Sequence, residues 1–257
     1  MKDFVFKIDY NIAKLFHQLY LWGGDVVTNI MKVISHLAEA GILFLMVGLT
    51  LALFKRTRKI GITILFAVAI GFLFTNIILK NMIARSRPFE TIGNDYYKWW
   101  LSADAIHESG YSFPSGHTTA MTAFAIAIFL TINKKYSWYA LFFPILMASS
   151  RIYLMVHYFS DCVGGIVVGT VSALLALLIV TLIYKSKWKF FVWVRELEIF
   201  KSPKAKSPSS VSQTEKVAPK TEDYVYETQA EEKQSQKNIS LIQQDIQNTA
   251  ENDTKND

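Results

Sequence analysis

Cysteine is nearly absent: Cys162 stands alone in 257 residues, which excludes a disulfide framework and any metal site built on thiolates. Phe and Trp are missing from the last 57 residues, a stretch rich in Ser, Gln, Lys, Glu, Asn and Thr that also holds Pro203, Pro208 and Pro219. Such a segment cannot bury enough surface to offset its ordering entropy, so 201–257 is expected to be a disordered cytoplasmic tail, with a short helix at Ile239–Ile246 as the alternative. Acidic groups are few elsewhere. The first 200 residues carry 19 Lys or Arg against 11 Asp or Glu, a net +8, while the tail carries 8 against 10. A continuous basic face is also lacking, because the positive charges fall in short clusters between apolar runs, and this argues against nucleic acid as a partner. The N-terminus has neither the clean apolar centre nor the small-residue cleavage site of a secretory signal.

What the chain does have is long hydrophobic runs. About 59% of the first 200 residues are apolar, too many for an ordinary soluble domain. The windows Leu37–Phe54, Ile60–Leu79, Thr118–Ile132, Trp138–Val156 and Val163–Tyr184 reach or approach the roughly 18 residues that span a hydrocarbon core, the third if its helix begins near Ser115. All five are expected as helices, since a segment in lipid must satisfy its own backbone groups. In residues 1–25, Phe4, Ile8, Ile12, Leu15, Phe16 and Leu19 recur with helical spacing among Lys7, Asp9, Asn11, Lys14 and His17. A spanning helix would bury each Lys or Asp near its centre at a cost of about 2.5–3.5 kcal/mol, so an amphipathic helix lying in the interface is expected. The fold class is therefore all-α, a polytopic transmembrane bundle over 26–200 with five spans plus an interfacial N-terminal helix, or six spans.

Basic clusters set the topology. Lys55, Arg56, Arg58 and Lys59, then Lys134 and Lys135, then Lys185, Lys187 and Lys189 all fall on one side, which should be cytoplasmic. This puts the Lys80–Pro114 segment and the Met155–Cys162 turn on the outer face of a cell membrane, with Trp99, Trp100, Trp138 and Trp188 near the interfaces.

Polar groups that hydrophobic cores do not need gather on that outer side. Lys80 and Arg87 are seven apart, so on a continuing helix they project from one face, and Pro88 ends the helix. Two permanent cations at a helix end can grip an anion. Phe113-Pro114-Ser115-Gly116-His117-Thr118 is a turn opening onto an apolar helix, whose unpaired N–H groups and positive dipole end suit a phosphate. Ser115 can cap or donate, Gly116 admits close backbone approach, and His117 can move a proton near neutral pH. Simple capping would explain that segment taken alone. In Ser150 to Asp161, His157 and Asp161 stand four apart, so one helical turn would bring the carboxylate to the imidazole, while Arg151 could grip phosphate oxygens in a bidentate fork. An imidazole so oriented is a plausible nucleophile toward phosphorus.

Lys80 to Pro88, Pro114 to His117 and Ser150 to Asp161 together resemble the three-part signature of the type 2 phosphatidic acid phosphatase (PAP2) superfamily, which also contains vanadium-dependent haloperoxidases and bacterial undecaprenyl-diphosphate phosphatases. The likeness covers roughly Leu37 to Tyr184. It implies that Lys80, Arg87, Ser115, Gly116 and Arg151 bind phosphoryl oxygens, that His157 is the nucleophile forming a phosphohistidine, that Asp161 orients it, and that His117 protonates the departing lipid oxygen. It implies no metal and no cofactor, in keeping with a site of cations rather than the carboxylate cluster of a divalent-ion phosphatase. The implied activity is hydrolysis of a lipid phosphate at the outer membrane surface, with undecaprenyl diphosphate as the expected substrate and phosphatidic acid or phosphatidylglycerol phosphate as alternatives. A non-catalytic lipid-phosphate binder or transporter is the reading from another class.

Other residues are expected to be structural. His36, Glu39 and Asn76 are read as interhelical or interfacial hydrogen bonders, His17 as lying on the polar side of the N-terminal helix, and Asp104, His107 and Glu108 as solvated loop residues. Cys162 is read as a small buried residue. Gly164, Gly165 and Gly169 are expected to allow close helix packing, and Arg85 and Ser86 to assist the anion site.

Overall fold

The computed structural model describes residues 2–36, 41–189, 192 and 196. The tail, its alternative helix at Ile239–Ile246, Glu39 and the first four residues of the Leu37–Phe54 window lie outside them. Among the described residues all regular structure is helical: α1 (Lys2–His36), α2 (Ile42–Leu53), α3 (Arg58–Phe72), α4 (Lys80–Ile83), α5 (Asp95–Ser102), α6 (Gly116–Thr131), α7 (Lys134–Ser137), α8 (Phe142–Tyr153) and α9 (Phe159–Lys185). A π-helical stretch, Leu73–Leu79, joins α3 to α4 without a break.

The stretch Arg58–Glu90 and α9 are each long and apolar enough to cross a bilayer, whereas α2 and α6 are apolar but shorter, at 12 and 16 residues. The Trp138–Val156 window is subdivided, with a 3-10 turn at Trp138–Leu141 ahead of α8. α9 shows why a bilayer suits this fold. It buries its small residues Gly165, Gly169, Ser172, Ala173 and Ala176 and exposes Val163, Val167, Val171, Leu174, Leu178 and Leu182. A water-facing helix would reverse that order.

α6 and α9 form the central pair, with α3 packed against both and α2 against α3. The pair is close because of two glycines. A Cβ on Gly165 would stand 2.8 Å from the Ser115 carbonyl oxygen, and one on Gly169 would stand 2.6 Å from that of Thr119. Cys162 is buried beside them. The core beneath is built from Phe44, Ile64, Val68, Met121, Met147 and the alanines of α6 and α9.

α1 is longer than the expected N-terminal helix of residues 1–25. It continues past residue 25 to His36, bent at Gly24, whose φ of 49° is left-handed. Phe16, Leu19, Tyr20, Val27 and Met31 pack against Phe89, Tyr153, Leu154 and Val156, and the Thr28 hydroxyl meets that of Tyr153 at 2.8 Å. Asp9 is 0% exposed and His17 stacks on Trp99 at 5.1 Å. Asp9 and His17 are therefore turned toward protein, with partners in the segment 85–99 and at the start of α9, while Lys7, Asn11 and Lys14 stay exposed.

Candidate active site

The helix carrying Lys80 does not continue to Arg87 as its spacing suggested. α4 stops at Ile83, Ala84 turns left-handed at φ 48° while its N–H bonds the Lys80 carbonyl, and Arg87 is extended ahead of Pro88. The preceding π-helical turn has already shifted the register, for the Lys80 N–H bonds Thr75 O, five residues back. The Thr75 hydroxyl donates to that of Thr119 at 3.1 Å, which ties this stretch to α6.

α6 begins at Gly116 with Ser115 as its cap, and the Ser115 N–H bonds the Asp161 carbonyl at 3.0 Å, joining the starts of α6 and α9. The Ser115 side chain is buried, accepting from the Thr118 hydroxyl at 3.0 Å. His157 is not on a helical turn with Asp161 as expected. α8 ends at Tyr153, Met155 takes a left-handed φ of 53°, Tyr158 is extended and α9 starts at Phe159. His157 and Asp161 meet across this capping turn, with Nδ1 at 3.5 Å from Oδ2. Asp161 Oδ2 also accepts from the Tyr158 N–H at 2.8 Å and from the Ser112 hydroxyl.

These turns converge on one cavity of about 440 Å³. Lys80, Arg87, Gly116, His117, Arg151 and His157 line it, whereas Ser115 and Asp161 lie behind its wall. Ser35, His36 and Asn76 also line it, so they belong to the site rather than to packing alone. Away from the cations the wall turns apolar, through Val68, Phe72 and Ala120.

Arg87 is 2% exposed and heavily committed. Nε donates to Gly110 O at 2.8 Å, Nη2 to Ser109 O at 2.9 Å, and Nη1 to Val156 O at 2.9 Å, with His157 Nε2 3.3 Å away. It clamps the loop at Ser109–Gly110 to the turn that carries His157. A donor facing Nε2 requires an Nδ1-protonated ring, the tautomer that also points a proton at Asp161. Arg151 is 1% exposed, and its Nε has no hydrogen-bond partner among the described residues.

The reading of Glu108 as a solvated loop residue is overturned. Its carboxylate lies in the cavity, paired with Arg151, 3.3 Å from Arg87 Nη1 and 4.0 Å from His117 Nδ1. Burial pushes its pKa up, but Arg151, then His117, His157 and Arg87, outweigh that and hold it down at about 2. His157 is held down at about 4, first by burial and then by Arg87 and Arg151, against the opposing pull of Asp161. Arg85 does not assist the anion site: its guanidinium turns away to Asp161 and Asp9. Ser112, Glu108 and Asp9 carry no motif, and the buried carboxylates become visible only once the loop and α1 fold back on the bundle.

Comparison with known proteins agrees with this geometry. The sequence profile of the PAP2 superfamily matches residues 60–185, which contain all three motif segments. An undecaprenyl-diphosphatase of Sulfolobus acidocaldarius is 32% identical over 121 residues, 47% of this chain and 55% of its own length. The chain thus spans little more than half of that relative. The bacitracin transport permease protein BcrC of Bacillus licheniformis is 33% identical over 154 residues, 59% of this chain and 72% of its own length. The crystal structure of a transmembrane PAP2 type phosphatidylglycerolphosphate phosphatase from Bacillus subtilis shares the fold with a TM-score of 0.55 at 23% identity, covering 72% of this chain and 89% of that one. With three motif segments meeting at one cavity inside the matched region, and nearly three quarters of a one-third-identical relative covered, the chain belongs to the PAP2 superfamily, a family of phosphatases.

Proposed function

We propose that this protein is a multi-pass membrane phosphatase that hydrolyses a lipid phosphate through a phosphohistidine on His157, with undecaprenyl diphosphate as substrate. The observation that carries the reading is the cavity itself, in which Lys80, Arg87, Arg151, His117 and His157 line one part and Val68, Phe72 and Ala120 of α3 and α6 form an apolar wall in another. That division suits a phosphate on a greasy anchor. The names of the Sulfolobus relative and of a 33% identical putative undecaprenyl-diphosphatase of Escherichia coli support the choice of substrate.

In the reaction, His157 Nε2 attacks phosphorus, forming a P–N bond as the P–O bond to the lipid breaks and its electron pair stays on the leaving oxygen. His117 supplies that oxygen's proton where one is needed, then takes a proton from water as water attacks phosphorus and the P–N bond breaks. Lys80, Arg87, Arg151 and the Gly116 N–H meet the charge on the equatorial oxygens. Ser115 supports the start of α6 from behind. Asp161 holds the Nδ1–H tautomer, and its 3.5 Å separation from the ring is one that can tighten when phosphate fills the pocket.

The test is phosphate release by purified protein in detergent from a panel of undecaprenyl diphosphate, phosphatidic acid and phosphatidylglycerol phosphate, with His157→Ala in parallel. Preferred turnover of the diphosphate, insensitive to EDTA and lost in His157→Ala, is expected. Tight lipid-phosphate binding without release of phosphate would instead establish a binder.

A further inference from the structure

Asp9 comes from the opposite end of the chain to the site and is completely buried. Its Oδ1 accepts from the Ser160 backbone N–H at 2.8 Å, and its Oδ2 accepts from the Ser160 hydroxyl at 2.7 Å and from Arg85 Nη2 at 2.8 Å. Arg85 Nη1 in turn donates to the Ser160 hydroxyl oxygen at 2.7 Å and to Asp161 Oδ1 at 2.6 Å. The guanidinium carbon lies 3.9 Å over the Tyr158 ring, which fixes its plane. Arg85 can only donate and an ionised carboxylate can only accept, so the Ser160 hydroxyl accepts from Arg85 and donates to Asp9, and the network has a single polarity.

Its position matters more than its strength. Ser160 is the second residue of α9, where a backbone N–H has no partner inside the helix, so α1 supplies a cap to α9 in trans. The next residue is Asp161. One of its oxygens is held by Arg85, and the other is left for Ser112, the Tyr158 N–H and His157. Docking of α1 does not require a buried carboxylate, since Phe16, Leu19, Tyr20, Val27 and Met31 already pack it against the core. A buried carboxylate carries a desolvation cost, and the hydrogen bonds of this one run only to Arg85, which holds Asp161, and to Ser160, which precedes it.

We propose that Asp9 is a positioning residue for the nucleophile: through Arg85 and Ser160 it fixes the rotation of the Asp161 carboxylate, so that Oδ2 faces His157 Nδ1. The N-terminal helix is then a working part of the active site. The inference rests on the reading of His157 as nucleophile, and the experiment separates the two.

Asp9→Asn keeps the side-chain volume and removes the charge. It should lower kcat by roughly ten- to a hundredfold, the scale of a small misplacement transmitted to a reacting group. KM and the inhibition constant of vanadate should stay within about threefold, because Lys80 and Arg151, which face the phosphate, make no contact with the cluster. Ser160→Ala removes the hydroxyl that links Asp9 to Arg85, leaving the backbone N–H bond to Asp9 Oδ1, and should show the same split. The Asp9→Asn, Arg85→Lys double variant should be no slower than the slower single one, since both act on one carboxylate. Wild-type kcat in Asp9→Asn and Ser160→Ala, with His157→Ala inactive, overturns the positioning role alone. Activity in His157→Ala overturns the nucleophile reading. If Asp9→Asn and Ser160→Ala instead lower the melting midpoint and raise KM at constant kcat, Asp9 is a tether and the proposal fails.

Discussion

Glu108→Gln is the substitution whose consequences the structure sets most fully. The carboxylate sits among Arg151, Arg87, His117 and His157, and its pKa falls from an ordinary 4.5 to about 2. That displacement corresponds to about 3 kcal/mol of favourable interaction in the folded state. Because the folded pKa is depressed, this contribution is fully present above pH 4.5 and disappears as pH falls toward 2. The amide keeps the volume but leaves the buried Arg151 short of a counter-charge, so at pH 7 the variant should lose stability of that order, roughly 6–12 °C in melting midpoint for a domain of about 200 residues. The second half of the expectation has the opposite sign. The carboxylate occupies the position among the cations that a phosphate would take, so the variant should bind inorganic phosphate and vanadate more tightly, and saturating phosphate should recover most of the lost midpoint. Thermal melts in detergent with and without phosphate, at pH 7 and pH 4, measure both halves. A variant that melts with the wild type in phosphate-free buffer, or gains no more from phosphate than wild type does, would refute the reasoning.

Four further outcomes are expected. His117→Ala should slow a lipid monoester far more than an aryl phosphate or a diphosphate, whose leaving groups need little protonation, and equal losses on all three would remove His117 from the acid role. If His157 is the nucleophile it works only as the neutral ring, so with its pKa held at about 4 the acid limb of kcat/KM should lie near pH 4 rather than 6.5, as a pH series on a diphosphate substrate will show. Gly169→Val should force α6 and α9 apart, costing about 1–3 kcal/mol or more and lowering activity with it, and a fully active, equally stable variant would contradict the 2.6 Å approach. With cysteines placed at Asn94 and Ser212 in a Cys162→Ser background, an impermeant thiol reagent added to intact cells should label the first and miss the second, and labelling of the second alone would invert the topology inferred from the basic loops.

What could be read from sequence divides by the range of the interaction. The long apolar run of α9 and the signature residues Lys80, Arg87, His117, Arg151 and His157 are visible because their chemistry is carried by residue type and short spacing. Their convergence on one cavity follows from helix starts that Ser115 and the Tyr158 turn define locally. Glu108 and Asp9 looked like ordinary polar residues because a carboxylate's role here depends on partners 43 and 151 positions away. Nothing periodic in the segment 89–113 shows that it folds back over the site, and the apparent face shared by Lys80 and Arg87 assumed a helix that Ala84 interrupts. The place of Asp9 was hidden for a related reason: helical spacing reveals that α1 has two faces, not that one carboxylate on it meets Arg85.

The π-helical turn at Leu73–Leu79 aims Lys80 in a way the composition of this segment does not reveal. Through that segment the hydrogen bonds reach back five residues instead of four, so one residue is held in surplus between the packed body of α3 and Lys80. Excising a single residue there would let the segment relax into an ordinary α-helix, with every hydrogen bond kept and a hydrophobic exterior retained. Because the wide turn advances less per residue, Lys80 would keep nearly its present bearing on the cavity; straightening the turn with all its residues kept would instead swing the lysine by about 100° around the axis, off the cavity wall. The device that aims this cation is therefore the wide turn itself, and a substitution that straightens it disarms the site while leaving the hydrophobic exterior intact.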